Sequence, residues 1–268
     1  MLHRVALSVG LLLFASAAHA SSLGAKKAVE KDLPGVVYHG PREQKRIALT
    51  FDACSSHIDR VDEKVIDELI ALDVPATLFL GGKWMRDQPE VVDRLAAIPS
   101  FELGTHGYKH SHLTKMTDQQ VRADLQEAVA EFSGVVGRQP ALMRTPYAEI
   151  DPRVAKIIEG DGITPVQYDL PGADSTFSKP TLIKWVMSQA KPGSIVVLHM
   201  NGHGKHTAEA LPVIVDGLRK QGYEFVTVSQ LLGRPLPQIA EPLVTSSTPD
   251  PAAAGPRCAL GDDGDSDP

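Results

Sequence analysis

Only two cysteines, Cys54 and Cys258, occur in 268 residues, which excludes a fold stapled by a disulfide framework. An excess of basic charge is also missing: 27 Lys and Arg stand against 33 Asp and Glu, for a formal net charge of −6. Much of that negative charge lies in the last segment, where Glu241 and five aspartates face Arg257, so the part expected to fold is close to neutral. Such a surface offers no footprint for nucleic acid and is compatible with an uncharged polymer as partner. No glycine-rich dinucleotide or phosphate-binding fingerprint follows the first strand-like segment, which counts against a nucleotide-binding sheet. Long apolar runs are scarce as well. The longest, Val5–Ala15, is shorter than the roughly 20 residues of a membrane-spanning helix.

What is present begins with a secretory pattern. Residues 1–20 combine Arg4, the apolar run and the small-residue signature Ala18-His19-Ala20, and are read as a signal peptide that leaves no stable membrane insertion after cleavage. A polar lead segment (21–44), one domain (45–235) and a Pro/Ala/Asp-rich tail expected to be disordered (236–268) follow, and the chain is expected in the periplasm or outside the cell. In that oxidising setting Cys54 and Cys258 could pair; the alternative is a buried thiol at Cys54 and an incidental one at Cys258.

Within the domain, short β-branched runs alternate with segments of helical period. Strands are expected at Arg46–Phe51, Ala76–Leu80, Phe101–Thr105, Ala141–Met143, Gly162–Gln167, Ser194–His199 and Tyr223–Val228. Helices are expected between them, among them Trp84–Ile98, one opening at Thr117 and stopping at Gly137, and one opening at Asp151-Pro152. Roughly seven βα units imply a parallel sheet covered by helices, either an open doubly wound sheet or a barrel.

The unusual polar residues share one end of that sheet. Asp52, His106, His110, Arg144, Asp174 and His199 all fall at or just after strand carboxyl ends, where chain segments distant in sequence converge on an active-site face. His106 and His110 are four residues apart, a spacing that lets two imidazoles on one helical turn share a metal ion. Beside such an ion, Asp52 could be a ligand or a general base; otherwise it is a turn residue bonding local backbone. Arg144, before Thr145-Pro146-Tyr147, could pair with a carboxylate. His199 has a pKa suited to a general acid, with Val197 as its same-face apolar neighbour.

In this order and spacing, Thr50–Cys54, His106–His110, Arg144–Tyr147, Tyr168–Asp174 and Val197–His199 resemble the five motifs of the NodB-type polysaccharide deacetylases, carbohydrate esterase family four, over residues 45–233. The resemblance implies a distorted (β/α) barrel of about seven parallel strands. It further implies hydrolysis of N-acetyl groups on glucosamine polymers such as peptidoglycan or chitin-like glycans, or of O-acetyl groups on xylan, with zinc or another divalent ion. By the same resemblance Asp52 is the base, His106 and His110 hold the metal, His199 is the acid, Arg144 orients Asp52 and Asp174 tunes His199. The Tyr147 backbone N–H then binds the oxyanion, and Val197 walls the acetyl pocket.

Three positions depart from that pattern. Ala53 stands where a second aspartate completes the metal site, Ser175 where a tryptophan is usual and Met200 where an aspartate is usual. Asp52 itself, Asp59, Asp62 or additional waters are the candidates to fill the metal shell. Two other readings stay open: a catalytically silent glycan-binding protein on the same fold, and an exported amidohydrolase acting on a small amide.

Overall fold

The structure is a computed structural model that describes residues 32–55 and 60–235. The expected signal peptide and tail, Asp59, and Cys258 with its possible disulfide lie outside the described residues.

The domain is built on β1 (Arg46–Ala53), whose residues after Arg46 are all buried, as expected of a strand covered on both faces in a parallel sheet. It runs two residues past the expected end, so Asp52 sits inside the strand. The series continues with α1 (Glu63–Ala71), β2 (Ala76–Leu80), α2 (Gly82–Asp87), α3 (Pro89–Ala96), β3 (Phe101–Thr105), α4 (Asp118–Val136), β4 (Leu142–Met143) and α5 (Pro152–Gly160). It closes with β5 (Thr164–Pro165), β6 (Leu170–Pro171), α6 (Lys179–Gln189), β7 (Ser194–His199), α7 (Thr207–Lys220), β8 (Glu224–Phe225) and α8 (Val228–Leu231). The strands pair in parallel in the order β5-β4-β3-β2-β1-β7-β6, with β8 beside the start of β1. The sheet curls into a half-barrel, and among the described residues no pairing closes β5 onto β6.

Local chemistry accounts for most element ends. Thr117 and Gln120 cap α4 reciprocally, and Gly137 stops it in the left-handed region at φ 74°. Asp151 accepts the Val154 N–H at the start of α5, with Pro152 in its first turn. The expected helix 84–98 is instead two helices, α2 and α3, broken at the non-helical Gln88 before Pro89. The expected strand 162–167 keeps two residues, and β6 was not anticipated, since a Leu-Pro pair carries no strand periodicity.

Strand alternation divides the protein into two layers. Ile47, Leu49, Phe51 and Ala53 of β1, with Val196 and Leu198 of β7, pack into the core shared with the helices. The intervening residues face the inside of the curl, where Ala48, Phe79, Ile195 and Val226 form a smaller apolar floor. Thr50, Asp52, Val197 and His199 stand on the same inner side above it. At Gly104 of β3 the backbone passes so close that an added Cβ would lie 3.0 Å from both the Phe79 ring and the Leu142 carbonyl oxygen. Gly104→Ala should therefore displace Phe79 and destabilise the domain by about 1–3 kcal/mol. A lower urea midpoint at unchanged slope checks this.

Candidate active site

A cleft of about 310 Å³ opens at the carboxyl end of the sheet, lined by Asp52, Cys54, His106, His110, Arg144, Tyr147, Ala148, Tyr168, Val197, His199 and His203. Register places Asp52 opposite His199 on adjacent strands. Arg144, 1% exposed, reaches beneath them from the end of β4. Its Nη1 donates to Asp52 Oδ1 and to Thr50 Oγ1, each at 2.8 Å, and its Nη2 donates to the Gln167 carbonyl at 3.2 Å. The guanidinium lies 4.2 Å from the centre of the Phe79 ring, so the inner floor supports it from below. Burial works against the Asp52 carboxylate, but the charge and hydrogen bond of Arg144, aided by His106 and His199, outweigh it and hold the pKa below its ordinary value.

His199 is held from the other side. Both oxygens of the fully buried Asp174 are engaged: Oδ1 with His199 Nδ1 at 2.8 Å, and Oδ2 with the His199 backbone N–H at 2.8 Å and the Thr207 hydroxyl at 2.7 Å. Burial disfavours imidazolium, yet the hydrogen bond and charge of Asp174, with the charge of Asp52, raise the His199 pKa. The site thus joins a carboxylate kept ionised to an imidazole kept protonatable.

The two metal-candidate histidines come together, but not on a helical turn. Residues 106–112 form a loop in which Gly107 (φ 72°) and His110 (φ 56°) are left-handed, and this bend brings the rings to 5.2 Å between centroids. A left-handed loop, and not the expected helical turn, brings the two rings together. His106 Nδ1 donates to the Arg144 carbonyl at 2.8 Å, which leaves Nε2 facing the cleft, 3.8 Å from Asp52 Oδ2. Burial lowers the pKa of both rings, that of His110 to about 4, so both are neutral as metal ligation requires.

The donor set fits a divalent cation. His110 Nδ1 is buried with no hydrogen-bond partner, and among the described residues ligand atoms of His106, His110 and Cys54 lie within 4.8 Å of one another. Of the candidates for the position of Ala53, Asp62 does not enter the cleft. It precedes α1, its N–H donates to the Met200 carbonyl, and its side chain borders a neighbouring depression with Arg60 and Lys205. Ala53 points into the helix-side core, Met200 is wholly buried in that same core, and Ser175 falls in the loop after Asp174.

Tyr147 occupies the lip, half exposed, its ring stacked on His112 at 3.9 Å and tilted against His110 at 4.3 Å. Tyr147, Ala148 and Ala173 are also left-handed, at φ 59°, 55° and 56°. With His110, Tyr147 and Ala148 place three strained backbone positions on the cleft and Ala173 a fourth beside Asp174, at a cost on the order of 1–3 kcal/mol each. The cleft residues for which the sequence suggested no role are Cys54, Ala148, Tyr168 and His203. Cys54 stands two residues beyond Asp52, the strand repeat, and His203 four beyond His199, and these spacings were the available signals.

A (β/α) half-barrel with an Asp–Arg pair, a His–Asp pair and two convergent imidazoles at the carboxyl ends of its strands defines a hydrolase-type site. The family profile described as polysaccharide deacetylase matches residues 39–166. A peptidoglycan-N-acetylglucosamine deacetylase of Bacillus cereus is 30% identical over 201 residues, covering 74% of this chain and 92% of that protein. One from Listeria monocytogenes is 33% identical over 196 residues, which is 73% of this chain but 40% of that longer protein. The chain likewise spans only 31% of a bifunctional xylanase/deacetylase of Pseudobutyrivibrio xylanivorans, 32% identical over 190 residues. Among solved structures, a peptidoglycan N-acetylglucosamine deacetylase in complex with an N-hydroxybenzamide superposes with a TM-score of 0.70 at 26% identity, covering 76% of this chain and 95% of that one. The chain belongs to the polysaccharide deacetylase family.

Because Asp52 and Arg144 are buried together, removing either charge strands the other. Asp52→Asn and Arg144→Met should each cost about 3–5 kcal/mol, and the double variant less than their sum. Urea unfolding of the four proteins in the cycle measures the coupling.

Proposed function

We propose that this chain is an exported, metal-dependent hydrolase that removes acetyl groups from an N-acetylated glycan, with peptidoglycan as the first substrate to test and chitin-like polymers as the second. One observation carries the reading. Asp52 and His199 stand side by side on adjacent strands in a single cleft while their partners push their pKa values in opposite directions, the arrangement that separates a base from an acid.

His106 and His110 would hold the divalent ion, zinc first among candidates. When bound, such an ion supplies Lewis acidity that polarises an acetyl oxygen and acidifies a water molecule. Asp52 accepts the proton of the attacking water through Oδ2, since Oδ1 is engaged by Arg144. The backbone N–H of Tyr147 binds the oxyanion, and Val197, on the cleft wall, receives the acetyl methyl group. His199 carries a proton on Nε2 to the leaving nitrogen, while Asp174 fixes Nδ1 and stabilises the imidazolium. The products are acetate and a free amine. Arg144 and Asp174 act through their partners, Arg144 by orienting Asp52 and Asp174 by orienting His199.

The relatives named for peptidoglycan support a wall polymer as substrate. The expected signal peptide places the reaction in the periplasm or outside the cell. Among the described residues no helix is long and apolar enough to cross a membrane. Intact Asp52–Arg144 and His199–Asp174 pairs favour an active enzyme over a silent binder.

Acetate release from peptidoglycan and from chito-oligosaccharides, with zinc, cobalt or manganese supplied, tests the reading. Release from neither by folded, metal-loaded protein overturns it. Asp52→Asn should lower kcat by about 10²–10⁴ while glycan binding persists. The pH profile tests the acid. Activity needs protonated His199 and falls as pH rises through its raised pKa. Asp174→Asn removes the cause of that rise and should move the alkaline limb to lower pH; an unmoved limb excludes His199 as the acid.

A further inference from the structure

The geometry points to Cys54 as the third protein ligand of the metal, a thiolate in place of the carboxylate that Ala53 cannot supply. The inference rests on the metal-dependent reading above and concerns which atom completes the ion's shell.

Strand geometry brings Cys54 into reach. On β1 successive side chains alternate faces, so Ala53 goes to the helix-side core while residues 50, 52 and 54 share the inner face. Cys54, 3% exposed, lines the cleft with His106 and His110, and the ligand atoms of the three lie within 4.8 Å of one another. Ligand atoms around a tetrahedral zinc lie about 3.3–3.8 Å apart, so closure on an ion requires side-chain adjustment and no backbone rearrangement. No carboxylate belongs to this group among the described residues.

A second observation concerns the sulfur. Asn201, wholly buried just past the end of β7, donates its Nδ2 to the Cys54 carbonyl at 2.9 Å and to Cys54 Sγ at 3.6 Å. An amide N–H directed at sulfur from outside the ligand group is the outer-shell partner that steadies a thiolate, as the Arg144 carbonyl steadies His106. Within the ligand group, His110 Nδ1 is unpartnered. On binding, the Cys54 S–H bond breaks, its proton leaves to solvent and a sulfur–metal bond forms, so two neutral imidazoles and one thiolate compose the set.

A thiolate in place of a carboxylate changes what the site selects. A Cys/His/His set favours zinc and cobalt(II) over magnesium, calcium or manganese, because sulfur is a soft donor. It also leaves Asp52, bound to Arg144, free of coordination.

Cobalt(II) substitution of the full chain reads the sulfur directly. Cobalt bound through Cys54 gives a near-ultraviolet sulfur-to-cobalt charge-transfer band, present in the wild type and in Cys258→Ser, and lost in Cys54→Ala and Cys54→Ser. Zinc affinity, measured by chelator competition, should fall at least tenfold in both Cys54 variants, and Cys54→Asp should shift preference from zinc towards manganese. Retained cobalt with visible ligand-field bands but no charge-transfer band overturns the assignment, as does failure to retain cobalt. Acetate release on the same samples is a separate readout. Release without the band refutes Cys54 as ligand and leaves the deacetylase reading standing, whereas the band without release keeps the ligand and refutes the deacetylase reading.

Discussion

The buried pair of Arg144 and Asp52 is the contact on which the arrangement of the cleft depends. Removing two charges from water costs several kcal/mol per ion, and the loss is recovered only where geometry and additional hydrogen bonds are good. Here Thr50, the Gln167 carbonyl and the Phe79 ring supply those contacts from separate segments. The Arg144 carbonyl meanwhile sets the tautomer of His106. One guanidinium, carried at the end of β4, therefore ties β1, Phe79 of β2 and the segment after β5 into a fixed relation, leaving its Nε as a buried atom without a partner.

Around that centre the protein tolerates strain. Left-handed backbone at His110, Tyr147 and Ala148 brings these residues to the cleft, and Ala173, also left-handed, immediately precedes Asp174. The floor beneath has the opposite character. Phe79, Ile195 and Val226 are closely packed, and Gly104 exists because a larger residue would collide with Phe79. A rigid support under strained loops is what holds Asp52 and His199 in register.

The sequence made the candidate site groups legible because each lies at or after a β-branched run, and a parallel sheet gathers strand carboxyl ends on one face. Asp52, His106, His110, Arg144, Asp174 and His199 all arrive where that rule sends them. The capping of α4 by Thr117 and its stop at Gly137 were equally readable, since both rest on local hydrogen bonds and backbone conformation. Other features depend on information outside the local chain. The break at Gln88 and the two-residue β6 have no periodic signature. The bend that joins His106 to His110 is a left-handed loop that four-residue spacing disguises as a helix. Cys54 reads from sequence as a buried thiol, because the neighbours that make it a candidate ligand, His106 and His110, lie about fifty residues away and Asn201 lies further still.

The cleft has two halves built on different parts of the sheet. His199, Asp174 and Thr207 form one across β7, the loop after β6, and α7, while His106, His110 and Cys54 form the other beyond β3 and β1, with Asp52 between them. Such separation has an evolutionary consequence. On the proposed roles, the half with the candidate metal ligands could exchange a hard donor for a soft one, adapting to whichever ions a habitat provides, while the half with the candidate acid keeps every contact it had. Diversification of this kind would alter nutritional metal demand without redesign of the chemistry.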